Sequence, residues 1–143
     1  MATTTYNNSP LRAVVDVTVG DTWSDLLFSA TDLDEDGVEI PADLTGRTYK
    51  MQVRVDPQAS SALMTLESPD DFILGQSAEA IEYDVEQGNP AGTTKDQLFV
   101  FAKPEQTNIL PGQWYADLEE TGPGDDVYTM YRYTYNALED VTR

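Results

Sequence analysis

The stretch "TYKMQVRV", residues 48–55, places Tyr49, Met51, Val53 and Val55 on one side and Lys50, Gln52 and Arg54 on the other. A period of two is what a half-buried strand requires, because successive side chains leave opposite faces of the backbone. This alternation constrains the chain more than any other feature, and it recurs. "LRAVVDVTV" and "TWSDLLFSA" read as strands before it, broken at Gly20-Asp21, and "ALMTL" follows it. "AIEYDVE" alternates Ile81, Tyr83 and Val85 against Glu82, Asp84 and Glu86, and is expected to be a strand. "DQLFVFAK" is apolar enough for a central strand. "QWYADLEE" and "VYTMYRYTYN" are two further strands joined by the hairpin connection "TGPGDD". "KPEQTNIL" is the one helical candidate, a single turn closed by Pro111-Gly112. About eight short strands with turn signals between them predict an all-β fold, an antiparallel sandwich or barrel.

At 143 residues and 40% apolar composition, the chain is long enough and apolar enough for one domain with a real core. The expected organisation is a polar N-terminal arm over residues 1–10, "MATTTYNNSP", and a β domain over residues 11–143. The segment has neither a charged start nor an apolar stretch, so it is not expected to be a secretion signal; it suits a short polar arm, disordered or laid onto a neighbour. No stretch approaches the roughly 20 apolar residues that span a bilayer.

The chain has no histidine and no cysteine. The commonest general base, thiol nucleophiles and zinc-thiolate sites are therefore missing, no G-x-S-x-G elbow occurs, and no enzyme activity is expected. Acidic residues number 26 against 8 basic ones, for a net charge of −18. The basic residues are scattered singly (Arg12, Arg47, Lys50, Arg54, Lys95, Lys103, Arg132 and Arg143). Such a field repels nucleic acid and anionic membranes, so neither is an expected partner. The excess of aspartate over glutamate suits a saline, halophilic setting, or simply a soluble acidic surface.

The stretch "TDLDEDGVEIPADLTG" places Asp32, Asp34, Asp36 and Asp43 at positions 1, 3, 5 and 12 of a calcium-loop spacing, with Gly37 sixth. The flanks read as strands rather than helices, and Asp43 is shorter than the usual chelating glutamate. An acidic turn, with aspartates bonding their own backbone, is the expectation; calcium is the alternative, and no other cofactor is expected. Five aromatic residues are candidate interaction residues. Tyr131, Tyr133 and Tyr135 share one strand face, opposite Tyr128, Met130 and Arg132, and that face is either core or a platform for protein or sugar. Trp114 and Tyr115 point to opposite faces, so only one of them can be core.

The order "GDTW" (20–23), "DEDG" with "DLTGRTYKMQVR" (43–54), "LPGQWYADLE" (110–119) and "ALEDVTR" (137–143) resembles the small immunoglobulin-like virion proteins of tailed phages. It is similar to the N-terminal domain of the upper baseplate protein family, over most of the chain from about residue 19. The resemblance implies an Ig-like β-sandwich with no catalytic residues. It also implies a place in the virion, assembled in the host cytoplasm, as a tail-tip or baseplate adaptor contacting other virion proteins and oligomeric in the particle. A capsid decoration protein and a carbohydrate-binding module are the alternatives.

Overall fold

Ten strands and two helices form among residues 4–7 and 14–140, the part of the chain described by a computed structural model. In chain order they are β1 (Thr5–Asn7), β2 (Val14–Thr18), β3 (Trp23–Leu33), β4 (Glu39–Pro41), β5 (Thr48–Arg54), β6 (Met64–Glu67), β7 (Phe72–Gly75), α1 (Ala78–Gln87), β8 (Gln97–Ala102), α2 (Pro104–Thr107), β9 (Gly112–Thr121) and β10 (Val127–Leu138). Two five-stranded sheets result. One has the order β1-β3-β8-β7 with β4 also on β3; the other has the order β2-β10-β9-β5-β6. The fold is mostly β, with ten strands where sequence periodicity suggested about eight. No helix among the described residues is long and apolar enough to cross a membrane.

The strand expected over "AIEYDVE" is a helix, α1. Its ends explain it. The Ser77 side-chain oxygen accepts the Ala80 N–H at 3.1 Å, and Gly88 closes the helix in the left-handed conformation at φ 71°. The residues that turn inward are Ala80 and Asp84, four apart, as a helix requires. Ile81 and Val85, which carried the apparent alternation, are 52% and 74% exposed.

The described residues cluster into two compact units. The first comprises residues 4–7, 26–46 and 74–99; the second comprises 14–25, 47–73 and 100–140. Each is discontinuous in sequence, which is why no linker marks a boundary. In the first, Leu27, Phe28, Ala30, Ala42, Leu44, Ala80 and Leu98 are fully buried. Within the segment read as a polar arm, Thr5–Asn7 pair antiparallel with Ser29–Thr31, and the Tyr6 ring meets Phe28 edge-on at 5.1 Å. Residues 1–3 and 8–10 lie outside the described residues.

The same unit contains a buried polar cluster. The Asp84 carboxylate accepts the Thr94 N–H at 3.0 Å, the Thr94 hydroxyl at 2.6 Å and the Gln76 amide at 2.7 Å. Asp96 accepts the Ser77 N–H at 2.8 Å and the Ser77 hydroxyl as well. These carboxylates pin the start and middle of α1 to the segment leading into β8, and satisfying them with donors removes the cost of burying them.

In the second unit β5, β9 and β10 lie side by side, antiparallel. Alternation sends Met51, Val53, Ala116, Leu118, Tyr133, Tyr135 and Ala137 inward. Trp23 packs edge-on against Tyr135 at 5.6 Å, a geometry that contributes about 0.5–1.5 kcal/mol beyond area burial. The Glu120 carboxylate, 4% exposed, accepts the Tyr49 hydroxyl at 2.8 Å and pairs with Arg47 at 3.3 Å. β2 runs parallel to β10, with Val14 opposite Thr134 and Thr18 opposite Leu138. That departs from an all-antiparallel arrangement, because parallel neighbours need a long crossover that leaves no local turn signature.

Candidate functional site

The outward face of β5, β9 and β10 gathers the residues left over after the core is filled. The register sets Arg54 opposite Tyr115 and Tyr115 opposite Thr134; one step along, Gln52 is opposite Asp117 and Asp117 opposite Arg132. These six side chains, with Pro57 at one end, line an open groove of about 520 Å³. Tyr115 is 55% exposed. Arg54 is held in place, donating to the Ala59 carbonyl at 2.8 Å and to the Gln52 side-chain oxygen at 3.1 Å. The turn that presents Ala59 is itself fixed: the Asp56 carboxylate accepts the Gln58 N–H at 2.8 Å. Arg132 is exposed and makes neither a hydrogen bond nor an ion pair with any described residue, although Asp117 sits directly across from it. With Arg54 across from the exposed Tyr115 and Arg132 one rung along on β10, the face offers an aromatic ring for stacking and guanidinium groups for bidentate recognition of carboxylates.

Of the aromatic residues singled out from sequence, the structure keeps Tyr115 for this face. Tyr133 and Tyr135 are 8% and 0% exposed. They belong to the core, so the Tyr131/Tyr133/Tyr135 face is not a stacking platform. A register shift between Thr129 and Tyr131 accounts for their direction, because the extra residue turns the following tyrosines inward while Val127 stays 59% exposed. Burial raises the ionisation point of all three tyrosine hydroxyls. Tyr131 is pushed up to about 12, by desolvation first and then by the charge of Glu120. Tyr133 and Tyr135 are raised further, chiefly by desolvation. Tyr133 still donates to the Met51 sulfur at 3.2 Å, whereas the Tyr135 hydroxyl has no hydrogen-bond partner among the described residues. Trp114 is half-buried and occupied locally. Its indole N–H donates to the Leu110 carbonyl at 2.9 Å, and its ring covers Gly112, where an added Cβ would lie 2.6 Å from the ring. With φ at 150°, that position takes glycine on both counts.

The four aspartates of the acidic stretch do not converge. β3 and β4 form a hairpin across it, with Leu33 opposite Glu39. Asp34 organises the turn: its carboxylate accepts the N–H groups of Asp36 and Val38, both at 2.9 Å. Asp32 accepts the Thr4 hydroxyl at 2.7 Å. Asp43 accepts the Thr45 N–H and hydroxyl and the Lys95 N–H. Asp34 and Asp43 accept backbone N–H groups a few residues on, as in an Asx turn, while Asp32 is taken up by Thr4. Asp34, Asp36 and Glu39 do share an open acidic concavity of about 800 Å³ with Glu79, Glu82 and Glu86 of α1. No group of three or more His, Cys, Asp or Glu among the described residues is arranged to hold a metal ion.

Arg54, Arg132, Gln52 and Asp117 went unselected in the sequence. Their signal was the odd-even spacing 52/54, 115/117 and 132/134; what was missing was the knowledge that these three strands are neighbours.

No family profile matches the chain, and no curated protein sequence matches it. Among solved structures, murine CRIg aligns over 98% of both chains at 8% identity with a TM-score of 0.29. AggA, the major subunit of aggregative adherence fimbriae type I from Escherichia coli, aligns over 96% of this chain and 93% of its own at 14% identity, also with a TM-score of 0.29. At these scores the superpositions carry no weight for fold or function.

Proposed function

We propose that the chain is a non-enzymatic structural protein of a tailed virus, a tail-tip or baseplate adaptor that docks receptor-binding or fibre components. In this reading its strands make an Ig-like sandwich, its partners are other virion proteins, and it reaches the virion by assembly in the host cytoplasm. The observation that carries a docking role is the exposed Tyr115 sharing one outward sheet face with Arg54, directly across from it, and Arg132, one rung along. Tyrosine and arginine are the residue types that protein interfaces favour, and a ladder of three hydrogen-bonded strands holds them rigidly. The virus assignment rests on the motif order of residues 20–23, 43–54, 110–119 and 137–143. Carbohydrate binding is the weaker reading, since Tyr115 is the one ring of the candidate set left largely exposed for stacking.

The test is mass spectrometry of purified particles followed by immunogold labelling. Labelling at the tail end supports the proposal. Labelling distributed over the head makes the chain a capsid decoration protein, and absence from particles that carry every other structural protein overturns the virion assignment.

A further inference from the structure

Resting on the docking role proposed above, the geometry points to a specific occupant for the β5–β9–β10 face: the acidic surface of a second copy of this chain. The first reason is chemical. Arg54 uses two of its N–H groups within the chain, and Arg132 uses none on described residues, so both guanidinium groups have donors left for carboxylates. Tyr115, exposed on the same face, adds an apolar surface over which a partner is desolvated. The second reason is charge complementarity. The chain carries 26 acidic residues against 8 basic ones, so a surface able to satisfy two arginines is present on every copy. Contact of this face with a different surface on the next copy is heterologous, the kind of contact that builds rings or filaments rather than closed pairs.

Repulsion between copies does not forbid it. At about 0.15 M ionic strength the screening length is roughly 8 Å, so distant charges on two copies scarcely interact while groups in direct contact do. The net charge sets the conditions under which association appears; the arginines set where it occurs.

Sedimentation velocity on the full chain tests this, at concentrations up to about 1 mM and at about 0.15 M salt. The wild-type chain is expected to self-associate. The double variant Arg54→Glu/Arg132→Glu is expected to associate at least tenfold more weakly with itself. Tyr115→Ala is expected to weaken association to a lesser degree. A heterologous contact also makes a directional prediction. The labelled double variant, lacking the arginine face but keeping its acidic surface, is still captured by the wild-type chain. Circular dichroism and melting of each variant establish that it is folded; all three side chains are outward-facing, and Arg132→Gln serves if the reversal disturbs the sheet. Three results overturn the inference: a wild-type chain monomeric throughout, self-association undiminished in the double variant, or failure of the wild-type chain to capture that variant. None of these bears on whether the chain is found in particles, so the two proposals fail separately.

Discussion

The Asp84 carboxylate accepts both the backbone N–H and the hydroxyl of Thr94, at 3.0 and 2.6 Å, joining α1 to the segment ten residues further on. Asp84 is 2% exposed, and the donors to it are the neutral groups of Thr94 and Gln76. Its ionisation point is lowered from 3.8, first by the Thr94 hydroxyl, then by the Thr94 N–H and more weakly by Gln76, against the opposing effect of burial. A lowered carboxylate contributes stability that is fully present above its unfolded value and lost as pH falls through the folded one. Asp84→Asn should therefore lower the melting temperature at neutral pH. It should also make the melting temperature less sensitive to acid below about pH 4, where the wild-type cluster is being titrated. Thermal melts across the acid range check both; parallel curves for the two proteins would remove Asp84 from the acid response.

Tyr135 provides a second test. Its ring is fully buried while its hydroxyl has no partner among the described residues. Tyr135→Phe removes a desolvated polar group and keeps the packing against Trp23, so the change should be neutral or stabilising by up to about 1 kcal/mol. Tyr135→Ala empties the same site and should cost about 3–5 kcal/mol. Urea unfolding of the two variants reads the difference. Substantial destabilisation by the phenylalanine variant would mean that the hydroxyl is bonded after all.

At high pH the tyrosine ladder dominates. The hydroxyls of Tyr131, Tyr133 and Tyr135 are all raised above the ordinary 10.0, with Tyr131 at about 12. A group whose folded value is raised keeps its contribution below the unfolded value and loses it as pH climbs through the folded one. Stability should thus begin to fall above about pH 10 and continue falling toward pH 12. Tyrosinate absorbance should show Tyr131, Tyr133 and Tyr135 titrating late and together with unfolding. Titration of these three near 10 in the folded protein would contradict the burial of this face.

For the acidic hairpin, adding calcium or EDTA should leave the melting temperature unchanged within about a degree, because Asp32, Asp34 and Asp43 are taken up by separate donors rather than directed at a shared centre. Asp34→Ala removes two carboxylate hydrogen bonds from the turn and should cost about 1 kcal/mol, equally with and without calcium. A calcium-dependent rise of several degrees that vanishes in Asp34→Ala would make this a metal loop.

The net charge of −18 predicts a salt response. In roughly 0.01 M salt the screening length is about 30 Å, and in roughly 1 M it is about 3 Å. Self-repulsion opposes folding in the first case and is largely suppressed in the second, so melting temperature should climb with NaCl up to about 0.5 M and then level off. A thermal melt series in NaCl gives the curve, and a flat one would remove the support for a saline setting.

Seven of the eight expected strands are present, and the reason is visible in residues such as Met51 and Val53, whose alternation has one reading only. α1 was misread because Ile81, Tyr83 and Val85 mimic a strand face while the helix's own face consists of a small residue and a carboxylate, Ala80 and Asp84. The start and stop signals at Ser77 and Gly88 were legible and outranked the period. β1 and β4 are three residues long, too short to display a period, and β7, Phe72–Gly75, places Phe, Ile and Leu in succession without alternation. The candidate site was half legible: Tyr115 stood out by type, but Arg54 and Arg132 acquire meaning only from the pairing order β5-β9-β10, which no local pattern encodes. The sharing of one face by Tyr131, Tyr133 and Tyr135 is legible but its burial is not, because alternation gives two faces without saying which one is wet.

The parallel pairing of β2 with β10 has a mechanical consequence. Asn136 donates to Asp16 at 3.0 Å across 120 residues of sequence, and the pairing continues to Thr18 beside Leu138, where the Val19 N–H reaches the Leu138 carbonyl at 2.8 Å. Both strands point the same way, so a pull applied at Val14 and Leu138 in opposite directions slides one strand along the other. The rungs between them are then strained together, in shear, instead of being peeled apart one at a time. A chain gripped at those two points resists extension with the whole ladder at once.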